Sequence, residues 1–287
     1  MKRSAAAILA VLLLLTFTVS QPNLIRAKSA YSAQVAVLMY HHIADDNTSS
    51  STVTTGLFRE QLTYLHQQGY QFISLAEFKA FLAGASVPDK AVLVTFDDGY
   101  DSYYRLGVPI MKELGIPSIN FIITSHLRQK QTSGIPALTE ATVRKMLAET
   151  PLVVVGSHTD NLHKEANNGK GKPLLVARLT TGGRQETDAE YEARIRGDLA
   201  ASREMLAKLS PDSADTLAYP FGVYDKTSLR LVRESGFRYG FTIVPGMVTR
   251  VSDLLQLPRI NAGSPNISPA ELDRMIQSRV RFIGPLR

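Results

Sequence analysis

The tightest constraint on the fold is an alternation that repeats along the whole chain: short, continuously apolar runs, each followed by a segment of helical period. Residues 35–40, 91–94, 118–123, 152–156, 216–219, 239–244 and 257–261 read as strands, with a shorter one at 71–74. Continuous apolar runs suit strands buried on both faces of a parallel sheet. Between them, Phe58, Leu62 and Leu65 recur at helical spacing up to Gly69, and 75–82 follows Ser74 with Glu77 placed for a capping box. Further helices are expected over 103–114, 139–147, 188–209, 229–234 and 269–276, the last capped by Ser268. The Gly- and Asn-rich stretch 164–186 reads as a surface excursion. Seven or eight strands alternating with helices predict an α/β fold around a parallel sheet, closed as a barrel or left open.

Polar clusters end several of these runs: His41-His42, Asp97-Asp98, His158, Tyr219-Pro220 and Arg259. In a barrel such ends converge on one rim, which favours that architecture. Adjacent side chains at a strand end diverge, so Asp97 and Asp98 are expected to do different jobs. Asp98, His158 and His163 together would form a two-histidine, one-carboxylate site for zinc or another first-row divalent ion, with nickel or cobalt as alternatives. The five-residue step from His158 to His163 suits a strand end turning into a loop better than a helix. Asp97, beside a ligand, is then the natural general base for a water on the ion, a pairing suited to amide or ester hydrolysis. Thr159 either bonds locally or touches ligand. Tyr100, Tyr103 and Tyr104 either offer a sugar-stacking surface or pack at a helix start. His66 and His126 are assigned to no site.

The start of the chain speaks to compartment. Lys2 and Arg3 precede an apolar stretch over 5–19, the order of a secretory signal and short for a membrane span, with small residues near 27 and 29 for cleavage. Residues 1–30 are therefore expected to be a signal peptide or an uncleaved N-terminal anchor, and 31–287 the catalytic domain. There is no cysteine, which excludes disulfides, a lipidated cysteine, thiolate ligands and a cysteine nucleophile. The formal charge of +6 falls to +2 once Lys2, Arg3, Arg26 and Lys28 are set aside. No basic stripe with interleaved aromatics argues for nucleic acid; association with a membrane or cell wall stays open, through the N-terminus or surface charge.

The sequence Thr95-Phe96-Asp97-Asp98-Gly99, joined by Ser157-His158-Thr159 with His163 and by Ala218-Tyr219-Pro220-Phe221-Gly222, resembles the polysaccharide deacetylase family, also called the NodB-homology or carbohydrate esterase 4 family. The resemblance covers essentially all of 31–287. It implies a distorted (β/α)7 barrel, Asp97 as base, Asp98, His158 and His163 as metal ligands, and removal of N-acetyl groups from a glucosamine-containing polymer. Tyr40-His41-His42 and Leu257-Pro258-Arg259-Ile260 resemble the exopolysaccharide-processing branch, which acts on poly-β-1,6-N-acetylglucosamine, and relatives that modify cell walls.

Three departures from the wider family matter. The two histidines are five residues apart rather than four, as in the exopolysaccharide branch. Ala218 stands where many members carry an arginine that steadies the base. Arg259 stands where many carry a histidine that protonates the leaving amine, and arginine cannot donate a proton near neutral pH. The resemblance makes His41 the expected acid, with His42 as the alternative. Arg259 is expected to pair with Asp97, or else to make a salt bridge at the rim. The backbone N–H of Phe221, after Pro220, is expected to help bind the developing oxyanion. Tyr219 lines the sugar groove or belongs to the core. Two other functions stay open: an esterase removing O-acetyl groups from a glycan such as xylan, and an inactive carbohydrate-binding protein.

Overall fold

A computed structural model describes residues 31–46, 49–128, 134–166 and 171–281. The expected signal or anchor over 1–30 lies outside the described residues. The strands are β1 Gln34–Tyr40, β2 His42–Ile43, β3 Thr52–Val53, β4 Gln71–Phe72, β5 Ala91–Phe96, β6 Ser118–Ile122, β7 Val153–Ser157, β8 Thr180–Thr181, β9 Arg184–Gln185, β10 Thr216–Ala218, β11 Tyr239–Phe241, β12 Met247–Thr249 and β13 Ile260–Asn261. The helices are α1 Thr55–Gln67, α2 Leu75–Leu82, α3 Val108–Leu114, α4 Thr124–Arg128, α5 Glu140–Glu149, α6 Asp188–Leu209, α7 Lys226–Glu234 and α8 Pro269–Arg279.

The main sheet runs in the order β11-β10-β7-β6-β5-β1-β12, with β13 added to β1 and β4 to β5. All pairs are parallel except β1 with β12. The sheet is curled and mixed, a distorted and incompletely closed barrel. Phe241 of β11 meets the last segment at an isolated bridge to Leu257, flanked by backbone bonds such as Thr242 N to Leu257 O and Arg259 N to Val244 O, and that segment pairs with β1 from Ile260. Pro258 explains the break, because it has no N–H to give to a ladder. The expected strand 257–261 is therefore shorter, and Arg259 precedes β13 rather than ending it.

Both faces of β1 and β5 are buried, as their unbroken apolar runs require. Val35, Val37, Leu93, Ile119, Phe121 and Phe241 cluster with Phe78 and Phe81 of α2. The alternate residues Ala36, Leu38, Tyr40, Val92, Val94 and Phe96 pack with side chains from α1, α3, α5 and α8. A third cluster joins α6 and α7 to β10 and includes Leu162 and Leu175. Part of the stretch expected to be a surface excursion is thus core, and Thr180–Thr181 with Arg184–Gln185 forms a hairpin within it.

Local signals hold at the helix starts. Ser74 and Thr187 form capping boxes with Glu77 and Glu190, and Thr139 and Ser268 cap α5 and α8. The expected single helix over 103–114 instead opens with a π turn at Tyr103–Gly107, where the Val108 N–H reaches Tyr103 O. Pro109 lacks the donor that would continue an α ladder, and a wider turn absorbs the loss.

Candidate active site

The site gathers where β1, β5, β7 and β10 end. Asp97 N still donates to Tyr40 O at 3.0 Å, extending the β1–β5 ladder by one bond. The next residue, Asp98, has φ +72°, and Gly99 follows at +71°. Two left-handed residues in succession turn the chain away from the strand and send the neighbouring carboxylates in different directions. A Cβ at Gly99 would also lie 3.0 Å from Ile122 Cγ2.

Asp97 faces Arg259. The guanidinium is completely buried and grips the carboxylate through both arms, Nη1 to Oδ1 and Nη2 to Oδ2, each at 2.7 Å. Arg259 Nε donates to Thr242 O at 2.8 Å, and Nη1 also reaches Thr95 Oγ1 at 3.2 Å. Four donor contacts fix the orientation of both side chains. Burial alone would raise the Asp97 pKa, but the Arg259 charge, with help from His158 and His41, holds it below the usual carboxylate range. Across the cleft, His41 Nε2 lies 3.9 Å from Asp97 Oδ2. His41 Nδ1 is buried and has no hydrogen-bond partner among the described residues. His42 turns the other way: its Nδ1 lies 2.8 Å from Ser102 Oγ, and its ring packs edge-on against Tyr100.

Asp98 faces the two other histidines. Its Oδ1 lies 3.4 Å from His158 Nε2 and 3.3 Å from His163 Nε2, and the three ligand atoms lie within 4.8 Å of one another. These separations are long for hydrogen bonds, and Asp98 Oδ1 is buried without a partner of acceptable geometry among the described residues. A buried anionic oxygen left in that state is costly unless a cation completes it. His158 Nδ1 lies 2.9 Å from the Ala218 carbonyl, which can only accept, so Nδ1 carries the proton and Nε2 is free for an ion. His163 is stacked on Phe221 with ring centroids 4.3 Å apart. One carboxylate and two imidazoles with converging atoms therefore fit a divalent metal ion.

The charges agree with that fit. Burial pushes the Asp98 carboxyl up, yet the His158 contact and the charges of His158, His41 and His163 bring it far below the usual range. His163 is lowered to about 4, chiefly by burial and then by His158, so its ring is neutral at pH 7. Burial also works to lower His158, but Asp98, Asp97 and the Ala218 carbonyl outweigh it and raise its pKa. A proton on His158 must therefore leave when an ion binds.

Tyr219 is fully buried, its hydroxyl donating to Leu255 O at 2.8 Å and its ring against Tyr224. That side chain belongs to the core rather than to a groove. Pro220 is also buried, whereas Phe221 is 40% exposed at the edge of the site. Phe221 has φ +57°, a non-helical value inside the 3-10 helix Pro220–Gly222, whose turn is closed by the Gly222 N–H on Tyr219 O and the Val223 N–H on Pro220 O. Tyr103 lies in the core, Tyr104 donates to Glu149, and only Tyr100 approaches the cluster, its hydroxyl pKa raised by burial and then by Asp98. Of the five non-glycine residues with positive φ among those described, Asp98, Thr159 and Phe221 belong to this site. Such strain concentrates where geometry is fixed for function. The Ala218 and Thr242 carbonyls, which orient His158 and Arg259, carry no side-chain signal that a sequence reading could find.

A family model described as polysaccharide deacetylase matches residues 84–240. The chain belongs to the polysaccharide deacetylase family, and it is a deacetylase, a hydrolase acting on carbon–nitrogen bonds. It is 27% identical over 222 residues to the poly-β-1,6-N-acetyl-D-glucosamine N-deacetylase of Staphylococcus aureus strain MSSA476, covering 77% of this chain and 71% of that one. The structure of IcaB from Ammonifex degensii superposes with TM-score 0.70 at 30% identity, covering 85% of this chain and 97% of the other. A de-N-acetylase from Aggregatibacter actinomycetemcomitans matches at TM-score 0.75 and 23% identity, over 85% and 100%, and shows the fold.

Proposed function

We propose that this chain removes acetyl groups from the N-acetylglucosamine residues of an exported polysaccharide, with Asp97 as base, His41 as acid, and Asp98, His158 and His163 as metal ligands. The observation that carries the reading is the division of labour between adjacent carboxylates, Asp97 in the Arg259 fork and Asp98 toward the Nε2 atoms of two imidazoles. A divalent ion held by Asp98, His158 and His163 would polarise the acetyl carbonyl and acidify a water; zinc suits the donor set, and nickel or cobalt also fit its chemistry.

The protein's own groups supply the proton transfers. Asp97, kept ionised by Arg259, takes a proton from the attacking water as its oxygen bonds to the acetyl carbon. Arg259 cannot give that proton onward, so it orients the base and holds its charge. Protonated His41, 3.9 Å from Asp97, gives its Nε2 proton to the amide nitrogen as the carbon–nitrogen bond breaks. Acetate and a free amine result. The Phe221 N–H is suited to receive negative charge on the acetyl oxygen, and the exposed Phe221 ring to meet the sugar.

The S. aureus relative is named for poly-β-1,6-N-acetyl-D-glucosamine, which supports that polymer over peptidoglycan or a chitin-like chain. The charge-then-apolar order at the N-terminus supports export of a domain spanning 31–287, with 1–30 as signal or anchor. Among the described residues no helix is long and apolar enough to cross a membrane.

Acetate release should be measured, after zinc, cobalt or nickel loading, from β-1,6 and β-1,4 N-acetylglucosamine oligomers, peptidoglycan and acetylated xylan. Release from the β-1,6 oligomers is expected. Release from xylan alone would replace the reading with an O-acetyl esterase, and glycan binding without any release would make the chain a binding protein.

A further inference from the structure

The two histidine ligands sit at either end of a short loop, and helix α6 holds that loop from outside the site. The backbone N–H groups of Asp160 and Asn161 both donate to one carboxylate, Asp198, at 2.8 Å to Oδ1 and 2.8 Å to Oδ2. One helical turn further on, buried Ser202 lies 2.7 Å from Ser157 Oγ, which in turn accepts the Thr159 N–H at 3.0 Å. Leu199, between them, packs in one cluster with Leu162 of the loop. Asp198, Leu199 and Ser202 thus meet the loop together, as i, i+1 and i+4 positions of one helix allow.

The loop needs such support. Thr159 has φ +69°, a conformation a β-branched residue adopts only under constraint. On its far side, Thr124 N donates to Thr159 O, Ser125 N to Asp160 O, and the Thr124 hydroxyl and Arg128 to the Asp160 carboxylate. Each of the two N–H groups reaches a different oxygen of one side chain, and a carboxylate offers two acceptor oxygens with no donor between them. An amide would turn an NH2 toward one of the two donors.

We infer that Asp198 is a positioning residue for the metal site: by gripping the Asp160 and Asn161 amides it fixes the offset between His158 and His163 before an ion arrives. It touches neither histidine and acts only through the backbone between them. The inference rests on the reading of Asp98, His158 and His163 as metal ligands. A partner bonded directly to a ligand is worth about 10- to 100-fold in metal affinity, and one acting through the backbone is expected at the lower end of that range.

The test is a Co2+ titration of the full chain, followed by visible absorption and by competition with a chelator, for the native protein, Asp198→Asn and His163→Ala. Asp198→Asn is expected to bind Co2+ about 10-fold more weakly, with an altered ligand-field spectrum, while still melting in one cooperative transition without metal. Native-like affinity and spectrum in Asp198→Asn, with binding lost in His163→Ala, would overturn the positioning role while leaving the metal site intact. Co2+ binding by the native chain that His163→Ala does not change would remove the metal reading, and this inference with it. Amide exchange in the metal-free native protein gives a second readout that needs no variant. The Asp160 and Asn161 amides are expected to exchange slowly, and fast exchange would show that the carboxylate does not hold the loop in advance.

Discussion

Asp97 and Asp98 show how far one residue's environment can differ from its neighbour's. The left-handed turn at Asp98 and Gly99 places one carboxylate in a buried guanidinium fork and the other against two imidazoles. Because burial alone would raise the Asp97 pKa and Arg259 reverses it, Arg259→Met should move the acidic limb of the pH–rate profile to higher pH. A shift of at least about one unit is expected, and Arg259→Lys, which keeps the charge but not the two parallel bonds, should reverse part of that shift. An unchanged limb would mean that another group sets the ionisation of the base. His158 gives a prediction of opposite sign. Its pKa is raised, so the metal-free protein carries a proton there below that value, and metal affinity should fall as pH is lowered through it. Calorimetry in buffers of different ionisation enthalpy would count the proton released. At this scale the sequence was informative: strand-end divergence predicts different roles for the two acids, and Arg259 meets Asp97. It left His41 against His42 open, because only the Ser102 and Tyr100 contacts show His42 turned away from Asp97.

At the scale of elements, long apolar runs and capped helices were legible, whereas short pieces set by distant partners were not. Helix α6 spans Asp188–Leu209, the range its periodicity predicts, because Thr187 and Glu190 fix its start. Thr187→Ala should lower stability by about 1 kcal/mol in chemical denaturation by removing that cap. By contrast, β12 has three residues and exists because Met247–Thr249 lies antiparallel to β1, a partner about two hundred positions earlier in the chain. Nothing local marks it. Pro258 does mark the break before β13, but a break alone cannot say that Arg259 will reach Asp97 from the start of a strand. Gly156 shows the opposite case, a strand glycine with a reason visible only in three dimensions. A Cβ there would lie 2.6 Å from Thr216 Oγ1 and 2.7 Å from Phe121 Cδ1. Gly156→Ala should cost about 1 to 3 kcal/mol through overpacking, measured as a lower denaturation midpoint. A neutral result would show that Phe121 moves aside freely.

For the molecule as a whole, a curled sheet brings residues from 41 to 259 to one rim, so binding at the rim should couple to the stability of the whole domain. Metal at about one hundred times its Kd is expected to add roughly 2.7 kcal/mol to unfolding, and chelation to remove it. A melting temperature indifferent to metal would place the ion outside the folded site. The barrel was legible from alternation and from polar strand ends; its incomplete closure was not, because it depends on how the segment around Pro258 passes from β11 to β1. The measurement that bears most directly on the function is a paired assay of metal content and acetate release in Asp97→Asn and Asp98→Asn, using β-1,6 N-acetylglucosamine oligomers. Asp97→Asn should keep its metal and lose about 10²- to 10⁴-fold in rate, whereas Asp98→Asn should lose the metal and the activity together. Acetate release that survives in Asp97→Asn, or metal lost equally from both variants, would contradict the division of labour on which the proposed mechanism stands.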